Sequence, residues 1–373
     1  MSYSFGGMFS GGGGLDLGFE LAGFDHRFST DWDADCVATL RQNRPHWSVS
    51  HIDVHDFDPV DREVDVLLAG IPCQGFSLGG NRRDDDDRNQ LFRQVVRVAE
   101  KIRPPVVVVE NVLNLRNMRL PGSGKPFIQE ISGQFEKIGY EVESDFLKMS
   151  GFGVPQTRRR FVLVAFRGRS PKGYQLPGAC GVQHAEPFLR DIIMNPELCL
   201  PNHDPNWSFP SQVHVATGEP FDESEAPIPV RFSRTASDGN AVRCLKQPFP
   251  AVDTATIWGW AQGNVTAERL DVDRSNRAKF VRNREAKHKL WRVSASRLRA
   301  FTEREYARLQ TFPDDWVFAG ATKRSLHMQI GNAVPVAFAR RLGENIGAAL
   351  DSYYKGVPYA LSSGESRQLV LEY

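Results

Sequence analysis

Gly70-Ile71-Pro72-Cys73-Gln74-Gly75-Phe76-Ser77 follows the largely apolar run 64–69, and the join between the two decides the fold. A run of four to eight apolar residues bounded by turn formers fits a strand covered on both faces. The residues after it then form a loop at the strand's carboxyl end, where open α/β sheets bind ligands. A second run of this kind is Val106-Val107-Val108-Val109, opened by Pro104-Pro105 and followed by Glu110-Asn111-Val112. If both strands lie in one parallel sheet, the thiol of Cys73 and the carboxyl of Glu110 meet over the same edge.

The amino terminus reads in the same way. Residues 3–9 predict a strand, Ser10-Gly11-Gly12-Gly13-Gly14 a loop, and residues 15–22 a helix closed by Gly23. Only glycine lets backbone and ligand approach closely at such a turn. The dinucleotide spacing G-x-G-x-x-G is missing, because Asp16 and Leu17 stand where its last glycine would fall. The next strand, 27–30, delivers Asp31-Trp32-Asp33. A carboxylate there can bind ribose hydroxyls and an indole can cover an adenine face, while either acid can instead cap the helix that runs to residue 43. His51-Ile52-Asp53-Val54 places a further acid before the strand that leads to Cys73.

Farther along, residues 79–88 form a polar surface loop that includes the acidic run Asp84-Asp85-Asp86-Asp87. A helix over 90–102 carries Leu91, Val95, Val98 and Ile102 on one face, and a second helix covers 127–138. Gly153-Val154-Pro155-Gln156-Thr157-Arg158-Arg159-Arg160 runs into the apolar strand 161–166. Three arginines at a strand's mouth call for an anionic ligand, which their bidentate forks suit; a solvated basic strand end is the competing reading. From about residue 170 to 294 prolines become frequent and periodicity fades, which predicts a second domain of short strands and loops. Within it, nine arginines and lysines against three acids over 269–292 suggest a polyanion-facing surface; a solvated helix face is the competing reading. Thr302 and Glu305 spell a capping box, and Gln329-Ile330-Gly331-Asn332-Ala333-Val334-Pro335 precedes a helix over 336–350 that is apolar on more than one side.

The chain has 373 residues, 41% of them hydrophobic and 24% charged, which allows a large core and more than one domain. It contains no run of about eighteen apolar residues, so no membrane span is expected. Met1-Ser2-Tyr3-Ser4-Phe5 lacks the basic head and apolar core of a secretory signal. Five cysteines, odd in number and far apart, argue against a disulfide framework or a zinc site and for a reducing, cytoplasmic setting. A net charge of only +1 means that any sign of a nucleic-acid partner must be local.

A thiol, a carboxyl and a glycine loop without dinucleotide spacing fit one chemistry well. C5 of cytosine is a poor nucleophile, but attack of a thiolate on C6, with an acid protonating N3, turns the ring into an enamine that can take a methyl group from a sulfonium. The target atoms are stacked within a duplex, so the base must be flipped out. Cys73 can also be read as a small buried hydrophobe; the proline before it, the glutamine after it and the strand end beneath favour the reactive reading.

At this point the residues resemble the DNA (cytosine-5) methyltransferase family, from Phe9 to about Gly347. Phe9-Ser10-Gly11-Gly12-Gly13-Gly14 is similar to its cofactor loop, and Asp31-Trp32, Asp53-Val54 and Leu91 stand where the family contacts S-adenosyl-L-methionine. Pro72-Cys73-Gln74 resembles the nucleophile motif, Glu110-Asn111-Val112 the acid motif, and Gln156, Arg158 and Arg160 the Gln-x-Arg-x-Arg of the active site. Residues 304–313 resemble the late small-domain motif, and Asn332 with Ala333 the segment that returns to the cofactor. Asn89-Gln90 departs from the Gly-Thr usual before Leu91.

The resemblance implies catalytic roles for Cys73, Glu110, Arg158, Arg160, Gln74 and Gln156. It implies cofactor contacts from Phe9, Ser10, Gly11, Gly12, Gly13, Gly14, Asp31, Trp32, Asp53, Val54, Pro72, Leu91, Asn332 and Ala333, with no metal. The expected fold is α/β, a Rossmann-like methyltransferase sheet with a smaller, irregular β-rich target-recognition domain. The expected divisions are a catalytic and cofactor-binding domain over 1–175, the small domain over 176–325, a returning C-terminal helix over 326–355 and a tail over 356–373. The expected partner is double-stranded DNA, met by a monomer in the cytoplasm and nucleoid, with a restriction endonuclease or other defence protein as an open possibility. A transfer-RNA methyltransferase of the same fold and a non-catalytic nucleic-acid-binding module are the alternatives; the missing glycine spacing argues against a Rossmann oxidoreductase.

Overall fold

The structure, a computed structural model, describes residues 2–59, 63–72, 91–119, 124–195, 198–204, 212–217, 228–232, 245–254, 257–262, 266–270, 289–294 and 297–359. Seven strands form the main sheet: β1 (Ser4–Met8), β2 (Asp25–Asp31), β3 (Val49–His51), β4 (Val66–Gly70), β5 (Val106–Val112), β6 (Tyr140–Lys148) and β7 (Arg159–Arg167), in the order β3-β2-β1-β4-β5-β7-β6. The first five run parallel, and the two predicted apolar runs are neighbours, with Gly70 opposite Glu110. β7 is antiparallel to both β5 and β6.

The unbroken apolar runs follow from burial on both faces. Val66, Leu68, Val106, Val108, Val162 and Val164 join the core on one face. Their chain neighbours Leu67, Ala69, Val107, Val109, Leu163 and Ala165 join the core on the other. The second face is covered by α3 (Leu91–Ile102) and α4 (Phe127–Lys137). On α3 the deepest residues are Phe92, Val95, Val98 and Ala99, so the predicted face is rotated: Leu91 and Ile102 lie at its margin, half-buried.

On the first face α1 (Gly14–Leu21) packs against the long C-terminal helix, whose bounds are Val336–Lys355. A Cβ built on Gly18 would lie 2.2 Å from the Ala339 Cβ, and one on Gly343 2.7 Å from the Ala22 Cβ, so the two helices touch through their glycines. Asp33 caps α2 (Ala34–Asn43), accepting from Asp35 N at 2.8 Å. α2 is tied to the chain beyond residue 316: Asn43 Nδ2 donates to the Val317 carbonyl at 2.6 Å, and Thr39 Oγ1 to Gln329 Oε1 at 2.7 Å.

Two antiparallel three-stranded sheets are formed by later parts of the chain. One has the order β13-β10-β9, from β9 (Ile228–Phe232), β10 (Ile257–Gln262) and β13 (Arg297–Ala300). The other has the order β11-β12-β8, from β8 (Gln212–Thr217), β11 (Thr266–Leu270) and β12 (Lys289–Ser294). Most of the basic stretch 269–292 is outside the described residues. Sequence periodicity misses α5 (Glu186–Met194), whose Phe188, Leu189, Ile192 and Ile193 are buried. It also misses α7 (Lys323–Asn332), begun by Thr322, whose side chain accepts from Ser325 N; residues 329–332 are the last turn of that helix. Between them α6 (Glu303–Leu309) carries the predicted capping box, with Glu305 N donating to Thr302 Oγ1 at 3.2 Å and Thr302 N to Glu305 Oε2 at 2.7 Å. With α7 named, the C-terminal helix Val336–Lys355 is α8.

The α1–α8 contact sets two effects of opposite sign against each other. Helix propensity alone favours Gly18→Ala by about 1 kcal/mol, but the new methyl has no room, and overpacking costs about 1–3 kcal/mol. Urea unfolding should show the variant less stable than wild type; a gain would mean that α1 and α8 do not pack so closely.

Candidate active site

Because β1, β2, β4 and β5 are parallel, their carboxyl ends share one edge, and because β7 is antiparallel its amino-terminal arginines arrive there too. Across that edge stand Asp31 at the end of β2, the loop 9–13 after β1, Gly70 at the end of β4, Glu110 on β5 and Arg160 on β7, which pairs with Val112. The Phe9 carbonyl lies 3.4 Å from the position of a Cβ on Gly70, so the glycine loop and the end of β4 are in contact. The strand order reverses direction between β1 and β4, which is where such sheets open a crevice. Pro72 is half-buried two residues past Gly70. Cys73 and Gln74 lie outside the described residues, as does the run 84–87.

Glu110 is only 6% exposed, and Arg160 Nε lies 2.8 Å from its Oε1. Burial pushes the Glu110 carboxyl above its ordinary range, and the Arg160 and Arg158 guanidinia oppose that shift without cancelling it. A carboxyl so placed can hold a proton and deliver it to a substrate.

Gln156 and Arg158 face protein rather than the edge. Arg158 is 1% exposed and donates to the carbonyls of Val252 at 2.6 Å, Gly331 at 3.0 Å and Ala333 at 3.1 Å. Gln156 Nε2 donates to the Leu309 carbonyl and to Gln310 Oε1, and its Oε1 accepts from Val252 N at 2.8 Å. Gln310 in turn donates to the Ile330 carbonyl at 2.6 Å. Arg159 is exposed. The expectation that three clustered arginines need an anionic ligand is therefore corrected: Arg158 is engaged by carbonyls, Arg160 by Glu110, and Arg159 by solvent.

The glycine loop is bent at both ends. Phe9 and Gly11 each have φ +55° and Gly13 has φ +87°; for a phenylalanine that is uncommon and costs strain of the kind found at functional turns. Asp31, buried, accepts from Gly11 N at 2.7 Å and from Asp33 N at 2.9 Å. Burial raises its pKa while those N–H groups work against the rise. A Cβ on Gly11 would enter open space, whereas one on Gly14 would lie 2.1 Å from the Val334 carbonyl oxygen and one on Gly12 3.3 Å from that of Gln329. The loop is thus bare on its outer side at Gly11 and covered at Gly12 and Gly14 by the returning segment. Ala333 is buried in that segment and Asn332 exposed.

Trp32 is 67% exposed, its carbonyl 2.8 Å from His51 Nε2. Asp53 is exposed and paired with the His55 ring at 2.7 Å; the His55 N–H on its carboxylate holds it below the usual range. Val54 is buried, and its carbonyl accepts from Arg97. Leu91 begins α3, half-buried. Gln310, which the sequence placed in the late small-domain motif without a role, is thus part of the clasp around Gln156; Asp16 was missed. The Asp16 carboxyl is 1% exposed behind the loop, where its Oδ1 accepts from Ser10 Oγ at 3.2 Å and Ser29 Oγ at 2.9 Å.

Residues 3–348 match the family described as C-5 cytosine-specific DNA methylase. The Type II methyltransferase M.Eco47II of Escherichia coli is 32% identical over 359 residues, covering 93% of this chain and 79% of its own. The Type II methyltransferase M.PspPI of a Psychrobacter species is 31% identical over 364 residues, covering 95% and 82%. Among solved structures, a prophage-encoded DNA modification methyltransferase of Escherichia coli shares the fold with a TM-score of 0.61 at 21% identity, covering 94% of this chain and 100% of its own. The DNMT2 of Spodoptera frugiperda does so with a TM-score of 0.58 at 16% identity, covering 93% and 100%. With a family match across nearly its whole length and relatives of this identity, the chain belongs to the C-5 cytosine-specific DNA methylase family and is a DNA cytosine methyltransferase.

Proposed function

We propose that the chain methylates C5 of a flipped-out cytosine in a specific duplex DNA sequence, through a covalent Cys73 adduct, as the modification enzyme of a restriction-modification or related defence system. The observation that carries this reading is the buried Glu110 carboxyl beside Arg160, in register with the strand that leads three residues on to Cys73. The Type II methyltransferases among its relatives support the biological setting.

The donor side of the edge fits S-adenosyl-L-methionine: an open cradle at Gly11, the buried Asp31 beneath it and an exposed indole at Trp32. Phe9, Ser10 and Gly11 to Gly14, with Asp31, Trp32, Asp53, Val54, Pro72, Leu91, Asn332 and Ala333, would hold it. Bound there, it supplies an electrophilic methyl group. Cys73 Sγ bonds to C6 as Glu110 donates a proton to N3, which directs the ring's electron pair to C5. Arg160 holds Glu110 in place. Gln156 and Arg158 act as positioning residues by fixing the backbone around Val252 and Ala333. Once C5 carries the methyl group, its proton leaves to a base, the C5–C6 double bond re-forms, the Cys73 thiolate is expelled and N3 returns its proton to Glu110.

Cys73→Ala should lose methyl transfer from tritiated S-adenosyl-L-methionine to duplex DNA while retaining donor binding by equilibrium dialysis. Retained transfer would refute the covalent role.

Glu110→Gln should slow transfer by roughly 10²–10⁴-fold, the usual worth of a positioned acid. Since the protonated acid is the donor, the wild-type rate should fall as pH rises through its raised pKa. Arg160→Ala leaves burial opposed only by Arg158, so the alkaline limb of its slower pH–rate profile should move to higher pH. Movement to lower pH would show that Arg160 does not set the Glu110 proton.

A further inference from the structure

The buried carboxyl of Asp16 has no part in the chemistry above, yet it lies directly behind the glycine loop. One oxygen, Oδ1, accepts from Ser10 Oγ at 3.2 Å within that loop and from Ser29 Oγ at 2.9 Å on β2. Ser10 N is itself bound to the Thr30 carbonyl at 3.1 Å, so this junction pins the strained turn from Phe9 to Gly11 to the second strand. The space is reserved for the carboxyl: a Cβ on Gly7 would lie 2.0 Å from Asp16 Oδ1 and 2.7 Å from Ser10 Oγ. A carboxyl this deeply buried, without a cationic partner among the described residues, is costly to keep ionised, and burial pushes it up to about 7. The charged and titratable groups that face it are Asp31, across the loop, and His26, whose Nε2 reaches it through Ser29 Oγ at 2.9 Å.

We propose that Asp16 is a positioning residue for the methyl-donor site, its proton setting the orientation of the Ser10 hydroxyl and the charge behind the loop. This rests on the assignment of loop 9–14 to S-adenosyl-L-methionine. When Asp16 is ionised, both serine hydroxyls point their hydrogens at Oδ1 and hold the turn, and a negative charge lies behind a loop that receives a cationic sulfonium. When it is protonated, that charge disappears and the acid O–H competes with the serine hydroxyls as a donor. Both changes weaken donor binding, so affinity rises with pH through the Asp16 titration. Stability moves the other way: the folded carboxyl takes up its proton at higher pH than the unfolded one, so the Asp16 contribution to stability is lost as pH rises from about 4 to about 7.

The test is binding of tritiated S-adenosyl-L-methionine by equilibrium dialysis from pH 5.5 to 8.5, on the full chain without DNA, for wild type, Asp16→Asn and Ser10→Ala. Wild-type affinity should rise roughly threefold to tenfold over that range, the scale of one partly screened charge. Asp16→Asn should hold the weaker, low-pH value throughout, and Ser10→Ala should keep part of the rise. If Asp16→Asn melts earlier but binds with the wild-type pH profile, or if wild-type binding is flat, Asp16 is only structural and the inference falls while the donor assignment stands. If wild type binds no donor at any pH, the assignment and the inference fall together.

Discussion

The site depends on a carboxyl held out of water at the end of a buried strand. Ionising Glu110 at 6% exposure costs several kcal/mol unless a partner offsets it, and Arg160 lies 2.8 Å away to do so. That partner exists because of one topological inversion. In a sheet whose strands all run parallel, every neighbour of β5 would bring its own carboxyl end to the reacting edge. The antiparallel β7 instead brings its start, where Arg158, Arg159 and Arg160 sit, opposite the end of β5. The inversion therefore supplies a cation where the fold otherwise delivers only strand ends and loops. The same balance, burial pushing up and arginine pulling down, leaves the carboxyl poised to carry a proton without becoming an unpaired buried charge.

A second constraint joins the two ends of the chain. Gly14 has no room for a Cβ because the Val334 carbonyl lies against it, and the segment that includes Val334 is held by Arg158 and Gln310 through the Gly331, Ile330 and Ala333 carbonyls. Gln156 extends the clasp to the end of α6 and to Val252. The glycines of the loop are thus glycine for two reasons. Gly12 and Gly14 admit the returning backbone, whereas Gly11 leaves the outer side open. A shift at Val252, in the chain leading into β10, reaches the cover of the glycine loop through the one guanidinium of Arg158.

Much of this was legible in the sequence where one local rule decided the outcome. The valine run, the capping box at Thr302 and Glu305, and the pairing of β4 with β5 all follow from burial on both faces or from satisfied helix ends. Asp31 and Asp33 could each be read as ligand or cap; the structure gives Asp33 the cap and Asp31 the loop. What was not legible depends on distant partners. Arg158 and Gln156 look like ligand-binding residues by type and place, but their acceptors are carbonyls near 100 to 175 residues away in the chain. α5 and α7 were missed because short helices among prolines and polar residues carry weak periodicity. Asp16 was passed over because an acid in a helix's first turn is ordinary, and only the fold shows that it points inward at Ser10 and Ser29.

The two halves of the edge also differ in the charge they accept, which bears on why the dinucleotide spacing is absent. A glycine loop leading into a helix normally offers free N–H groups and a positive helix end to phosphate. Here the N–H of Gly11 is already taken by Asp31, and Asp16 sits in the first turn of α1. Neither acid has a cationic partner among the described residues. A pyrophosphate would meet two buried carboxyls and a donor already in use, whereas a sulfonium beside an uncharged adenosine would meet a complementary field. On the other half Arg160 is paired with Glu110 and Arg159 is exposed, while Arg158 is turned into the protein. One sheet edge is in this way divided into a half backed by the acids Asp16 and Asp31 and a half where Arg160 offsets Glu110, with the end of β4 between them.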